Sequence, residues 1–157
     1  MIQRIQTVWF LLASLSIFAL FLFPYLHYSD ATVLGKSLMV SGRYQHQIGE
    51  DIREQFFFLQ TAAAIILGLL PLYTIFKFKN RKLQIQLIIL EIVLIGLFGF
   101  WLYTSASKAL AEVQRFLSAG NIGVGFFLLP IAIVFLFLAM SGIRKDESLI
   151  RSAERLR

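Results

Sequence analysis

A chain of 157 residues that is 58% hydrophobic and only 15% charged has room for one domain, with its charge confined to short segments between long apolar runs. A formal charge of +6 would point to nucleic acid in a soluble protein, but here the Lys and Arg residues sit at the ends of the apolar runs and not on one helix face, which argues against that partner. There is no cysteine, so disulfides, thiolate metal sites and cysteine nucleophiles are excluded.

Four stretches have the length to cross a bilayer as helices: residues 5–26, 55–76, 83–107 and 116–143. Even 22 residues rise about 33 Å in a helix, against a hydrocarbon core of about 30 Å. Because the runs are apolar all round, without the polar faces of soluble helices or strands, the expected fold is an all-α integral membrane protein. The reading is a four-transmembrane-helix bundle forming a single domain over residues 1–157.

The first run follows Arg4 and superficially resembles a secretory signal, but it is too long and no small-x-small site follows Phe23, Pro24 and Tyr25. It reads as a retained helix. Residues 27–54 form the largest soluble piece, with a β-prone run at 31–34, a turn expected at Gly35-Lys36, then residues 37–41, Gly42 and Tyr44. This predicts a small β hairpin or meander, which is marginal in water and must rest on the helix ends or a partner. His46, Glu50 and Glu54 recur every four residues, but Gly49 weakens a helix there and a structural zinc site wants four close ligands, so no metal is expected.

The short link at residues 77–82 makes the second and third helices antiparallel neighbours. Pro71 and Pro130 interrupt the second and fourth helices and release the carbonyls of Leu67 and Phe126, as simple kinks do. Ala64 with Gly68, Gly96 with Gly99, and Gly120, Gly123 and Gly125 offer small surfaces for close helix packing. In the tail, residues 144–157, one helical face carries Leu149, Ile150, Ala153 and Leu156. Such an amphipathic helix lies on lipid or docks on a partner, and its mixed charges favour protein contact.

Ten of the fifteen Lys and Arg residues fall before the first run, in the 77–82 link or in the tail. The positive-inside rule then puts both termini and that link in the cytoplasm. Trp9 and Tyr73 near one face, and Tyr25, Tyr28, Trp101 and Tyr103 near the other, agree with the preference of amphipathic rings for the headgroup region.

Glu91 is the one charged residue inside a span, about 12 Å along the third helix. An acid at that depth must be protonated, paired or wetted. Gln84 shares its face, and Ser14 and Tyr73 lie at similar depth on other helices, which makes Glu91, Gln84, Ser14 and Tyr73 the candidate intramembrane polar site. The alternatives are a proton or cation site, an interhelical clasp, or a carboxylate facing a partner subunit. Lys77, Lys79, Arg81, Lys82, Arg144, Lys145, Arg151 and Arg155 are the candidate residues for docking on lipid or a partner. No nucleotide loop, nucleophile elbow or zinc-protease pattern occurs, and no nucleophile, base and oxyanion donors cluster, so neither an enzyme nor a cofactor is expected.

The segments MIQRIQT, FKNRKLQIQL and GIRKDESLIRSAERLR resemble a bacterial four-helix membrane family, domain of unknown function 4293, along essentially the whole chain. The resemblance implies an inner membrane in a two-membrane cell, and so a periplasmic 27–54 loop; it carries no activity, cofactor or catalytic residue. The expected function is a non-enzymatic accessory or scaffold subunit of a larger membrane assembly, docking through the 77–82 link and the tail. The alternative is a small transporter or ion-coupled protein that uses Glu91.

Overall fold

The computed structural model describes residues 3–30, 33–47, 50–78, 80–112, 116 and 118–155; the side chains of residues 3–4, 29–30, 33–34, 46–47, 50–51, 119 and 149–155 lie outside that set. Four α-helices, α1 (Gln3–Phe18), α2 (Phe58–Phe76), α3 (Arg81–Glu112) and α4 (Val124–Arg155), run alternately up and down. Each packs on its sequence neighbours, and α1 closes the ring against α4. One end of the bundle carries an antiparallel sheet and the other the short α2–α3 link. We call them the sheet end and the hairpin end.

Each helix turns a seam of buried residues inward at alternating three- and four-residue steps. The seam is Gln6, Phe10, Ala13, Ile17 and Leu20 from α1 and the turn after it, and Gln60, Ala64, Leu67, Pro71 and Thr74 on α2. On α3 it is Gln84, Ile88, Glu91, Ile95, Phe98 and Leu102, and on α4 Leu129, Ala132, Leu136, Ala139, Ile143 and Asp146. This is the step of coiled-coil-like bundle packing, and small side chains at Ala13, Ala64, Ala132 and Ala139 let the helices approach. The outward faces are apolar too: Leu15 is 65% exposed, Leu97 62% and Phe100 67%. By length and composition, α2, α3 and α4 suffice to cross a membrane; the apolar helix Ile5–Phe21 is shorter.

The first run therefore ends earlier than its hydropathy implies. α1 tightens into a 3₁₀ turn at Ala19–Phe21, and Pro24, which has no N–H and restricts the residue before it, ends the helix. The Tyr25 N–H then goes to the Leu38 carbonyl at 2.9 Å, and strand β1 (Leu26–Asp30) begins. β2 (Val33–Met39), β3 (Gly42–Gln47) and β4 (Glu50–Phe56) complete a four-stranded meander in the order β1-β2-β3-β4.

The expected turn at Gly35-Lys36 is not there. Both residues lie inside β2, where Gly35 takes φ 47° beside the shifted register between Tyr28 and Asp30, the signature of a bulge that needs glycine. The β2–β3 turn is instead Val40 and Ser41, between the paired Met39 and Gly42. His46, Glu50 and Glu54 lie on strands, so they share no helical turn.

The second run also begins late, because β4 continues to Phe56. The third extends to Glu112 because Ala106, Ala109 and Leu110 prolong its buried face. Residues 116 and 118–123 are not part of the fourth helix. They hold a 3₁₀ turn at Ala119–Asn121, an antiparallel bridge from Ile122 to Leu26, and a bond from the Gly123 N–H to the Tyr25 carbonyl at 2.9 Å. Gly123 is needed there, since a Cβ would collide with the Pro24 carbonyl. At the other end, residues 144–155 continue α4 without a break, so the tail is no separate helix; the face formed by Leu149, Ile150, Ala153 and Leu156 lies outside the described side chains.

Candidate functional site

Glu91 occupies a seam position of α3, so the step that packs the bundle also aims its carboxylate at the axis. It is 1% exposed, and neither oxygen has a hydrogen-bond partner among the described residues. Ile88 and Ile95, before and after it on the same face, are sealed as well.

Of the residues expected to accompany Glu91, Gln84 shares its face but lies seven residues away, about 10 Å along the axis, with its Nε2 donating to the Thr74 carbonyl at 3.1 Å. Ser14 is buried, but its hydroxyl donates to the Gly68 carbonyl at 2.7 Å, three residues before Pro71. There a neighbouring helix serves backbone next to a proline. Tyr73 faces outward, half exposed, with the Lys77 ammonium 5.0 Å from its ring centroid.

A second polar group lies at the hairpin end, where all four helices line a cavity of about 240 Å³ that includes Gln6, Phe10, Phe78, Arg81, Gln84 and Asp146. Asp146 is 8% exposed. Its Oδ2 accepts from Gln6 Nε2 at 2.6 Å, and its Oδ1 is buried with no partner among the described residues. Neither Gln6 nor Asp146 was singled out from the sequence. The signal was the α4 seam, whose three-four step from Leu129 to Ile143 lands next on Asp146 and turns it inward, away from the other tail charges.

Around this cavity Arg81 is partly buried, while Lys82, Arg144 and Lys145 are exposed. None of these four forms an ion pair among the described residues. Asn80 caps α3, accepting the Leu83 N–H on its side chain at 3.3 Å, and thereby fixes where Arg81 and Lys82 emerge. Lys79 lies outside the described residues, as do the side chains of Arg151 and Arg155.

Charge at the sheet end is used differently. Lys36 meets Glu54 at 3.0 Å, and Arg43 reaches from β3 to Glu112 on α3 at 2.9 Å. Burial, the largest influence, works against the Arg43 charge, but the hydrogen bond to Glu112 together with the nearby Tyr28, Glu112 and Glu54 outweighs it and leaves the guanidinium above its ordinary range. Tyr25 and Tyr28, expected at the headgroups, are buried at the sheet end, and burial pushes the Tyr28 phenol up. Among the described residues, no group of three His, Cys, Asp or Glu side chains is arranged to hold a metal.

A four-helix bundle with a sheet cap and a polar cavity is a class of architecture and not an activity. The family model described as Domain of unknown function (DUF4293) matches residues 2–156, and the chain belongs to that family. No curated protein matches it.

Proposed function

We propose that this chain is a multi-pass protein of a bacterial inner membrane, with both termini and the α2–α3 link in the cytoplasm and the sheet on the periplasmic side. In this reading it serves as a non-enzymatic accessory or scaffold subunit of a larger membrane assembly. Its membrane setting is supported by the outward apolar faces of the helices, a surface that requires lipid or protein cover. Orientation rests on the concentration of Lys and Arg at the hairpin end.

The observation that carries the docking role is the rim of Lys82, Arg144 and Lys145, exposed and without ion pairs among the described residues. Cations free of internal partners are available to acidic groups on another chain. The test is gentle extraction of a tagged copy followed by mass spectrometry of what co-purifies. Triple substitution of Lys82, Arg144 and Lys145 by Glu is expected to release the co-purifying subunit, as is deletion of residues 149–157, which leaves Asp146 in its seam. Wild-type protein that emerges as a lone monomer contradicts the reading.

A second reading, a small ion-coupled transporter, draws support from the unpartnered carboxylate of Glu91. It requires Glu91→Gln to abolish a flux or pH response while the tail deletion is tolerated; the subunit reading requires the reverse.

A further inference from the structure

The hairpin-end cavity joins two opposite charges that do not pair with each other. Asp146 sits on its wall nine-tenths buried, with Oδ2 held by Gln6 and Oδ1 left without a donor. A carboxylate oxygen buried without a donor is costly, and the group that relieves it best is a cation carrying several N–H bonds. Gln6 gives its amide N–H to Asp146 and Gln84 gives its own to Thr74, and among the described residues no side chain is seen to donate to either amide oxygen, which can accept further N–H bonds.

Arg81 lines the same cavity but lies beyond ion-pair distance of Asp146 and has no ion pair among the described residues. It stands in the first turn of α3, where the helix dipole adds to its attraction for an anion. A simple cation would satisfy Asp146 but meet Arg81, and a simple anion would do the converse. Phe10 and Phe78 add apolar surface to the lining. A cavity of about 240 Å³ suits a headgroup-sized molecule, below the usual range for drug-sized ligands.

We infer that this cavity binds a small zwitterion of the phosphoethanolamine class, with its primary ammonium on Asp146 and its phosphate toward Arg81. The same chemistry is offered by free phosphoethanolamine and by the headgroup of phosphatidylethanolamine. Phosphocholine has the same charges, but its trimethylammonium has no N–H to give Asp146 Oδ1 or the amide oxygens of Gln6 and Gln84. The inference stands apart from the docking proposal, since it uses the cavity and not the exposed rim.

The test has two arms, both on the full-length protein. In detergent, calorimetric titration with phosphoethanolamine is compared with phosphocholine. In nanodiscs of mixed phosphatidylethanolamine and phosphatidylcholine, native mass spectrometry counts the lipid retained. Binding or retention of the ethanolamine form at least tenfold over the choline form is expected in one arm, and which arm responds identifies the source. Asp146→Asn keeps an acceptor for Gln6, and Arg81→Gln removes no ion pair among the described residues, so both variants should fold; Asp146→Asn is expected to erase the preference, and Arg81→Gln to weaken binding of both forms about tenfold or more. Absence of any ethanolamine preference in both arms overturns the inference, as does a preference that survives Asp146→Asn or binding that Arg81→Gln leaves undiminished.

Discussion

At the sheet end of the bundle, charged side chains tie elements together: Lys36 to Glu54 between strands and Arg43 to Glu112 between sheet and helix, with Gln60 Nε2 bonding Ser105 Oγ at 2.8 Å nearby. At the hairpin end, Arg81, Lys82, Arg144 and Lys145 form no ion pairs among the described residues, and the buried Asp146 is held by a neutral amide. The same residue types thus close the structure at one end and stay available at the other. Ion pairs spent internally give cohesion, whereas unspent charge around a cavity gives recognition. That contrast organises the expected effects of mutation.

The largest effect belongs to the sheet end. Gly123→Leu forces a side chain into the Pro24 carbonyl and breaks the bridge between the start of α4 and Tyr25, so a loss of about 3 kcal/mol is expected in thermal unfolding in detergent. Glu91→Leu, between the two ends, removes two unpartnered buried oxygens and keeps the seam apolar. A gain of about 2 kcal/mol is expected by the same assay, and a loss would reveal a partner for Glu91. Ser105→Ala deprives buried Gln60 of its acceptor and is expected to cost about 1 kcal/mol. Smallest of all is Lys82→Gln at the hairpin end, expected to move stability by less than about 0.5 kcal/mol while weakening partner capture. A hairpin-end variant that destabilised as strongly as Gly123→Leu would dissolve the contrast.

Much of this fold was legible because a lipid-compatible helix must satisfy its backbone internally, and that demand writes long apolar runs into the chain. What hydropathy does not encode is where an apolar run stops being helical. Residues 118–123 read as part of a span, but Ile122 and Gly123 are drawn off by backbone pairing with Leu26 and Tyr25, about a hundred residues away in sequence. Gly35 misled for a related reason: a glycine with positive φ marks a bulge as readily as a turn, and the choice depends on a strand partner. Within the candidate site, Glu91 stood out because it is a charge inside an apolar run. Asp146 was hidden among the polar residues of the tail, and only its place in the α4 seam distinguishes it. Tyr73 failed to join Glu91 because equal depth on a neighbouring helix says nothing about which way a side chain faces.

The central claim is that the two ends lie on opposite sides of a bilayer, and the lack of native cysteine makes it directly measurable. Single cysteines at Arg53 and Lys145, both exposed, would be labelled on intact cells with a membrane-impermeant thiol reagent. The account predicts that Arg53→Cys reacts and that Lys145→Cys reacts only after the inner membrane is permeabilised. Equal labelling of both in intact cells, or labelling of Lys145→Cys alone, would contradict it.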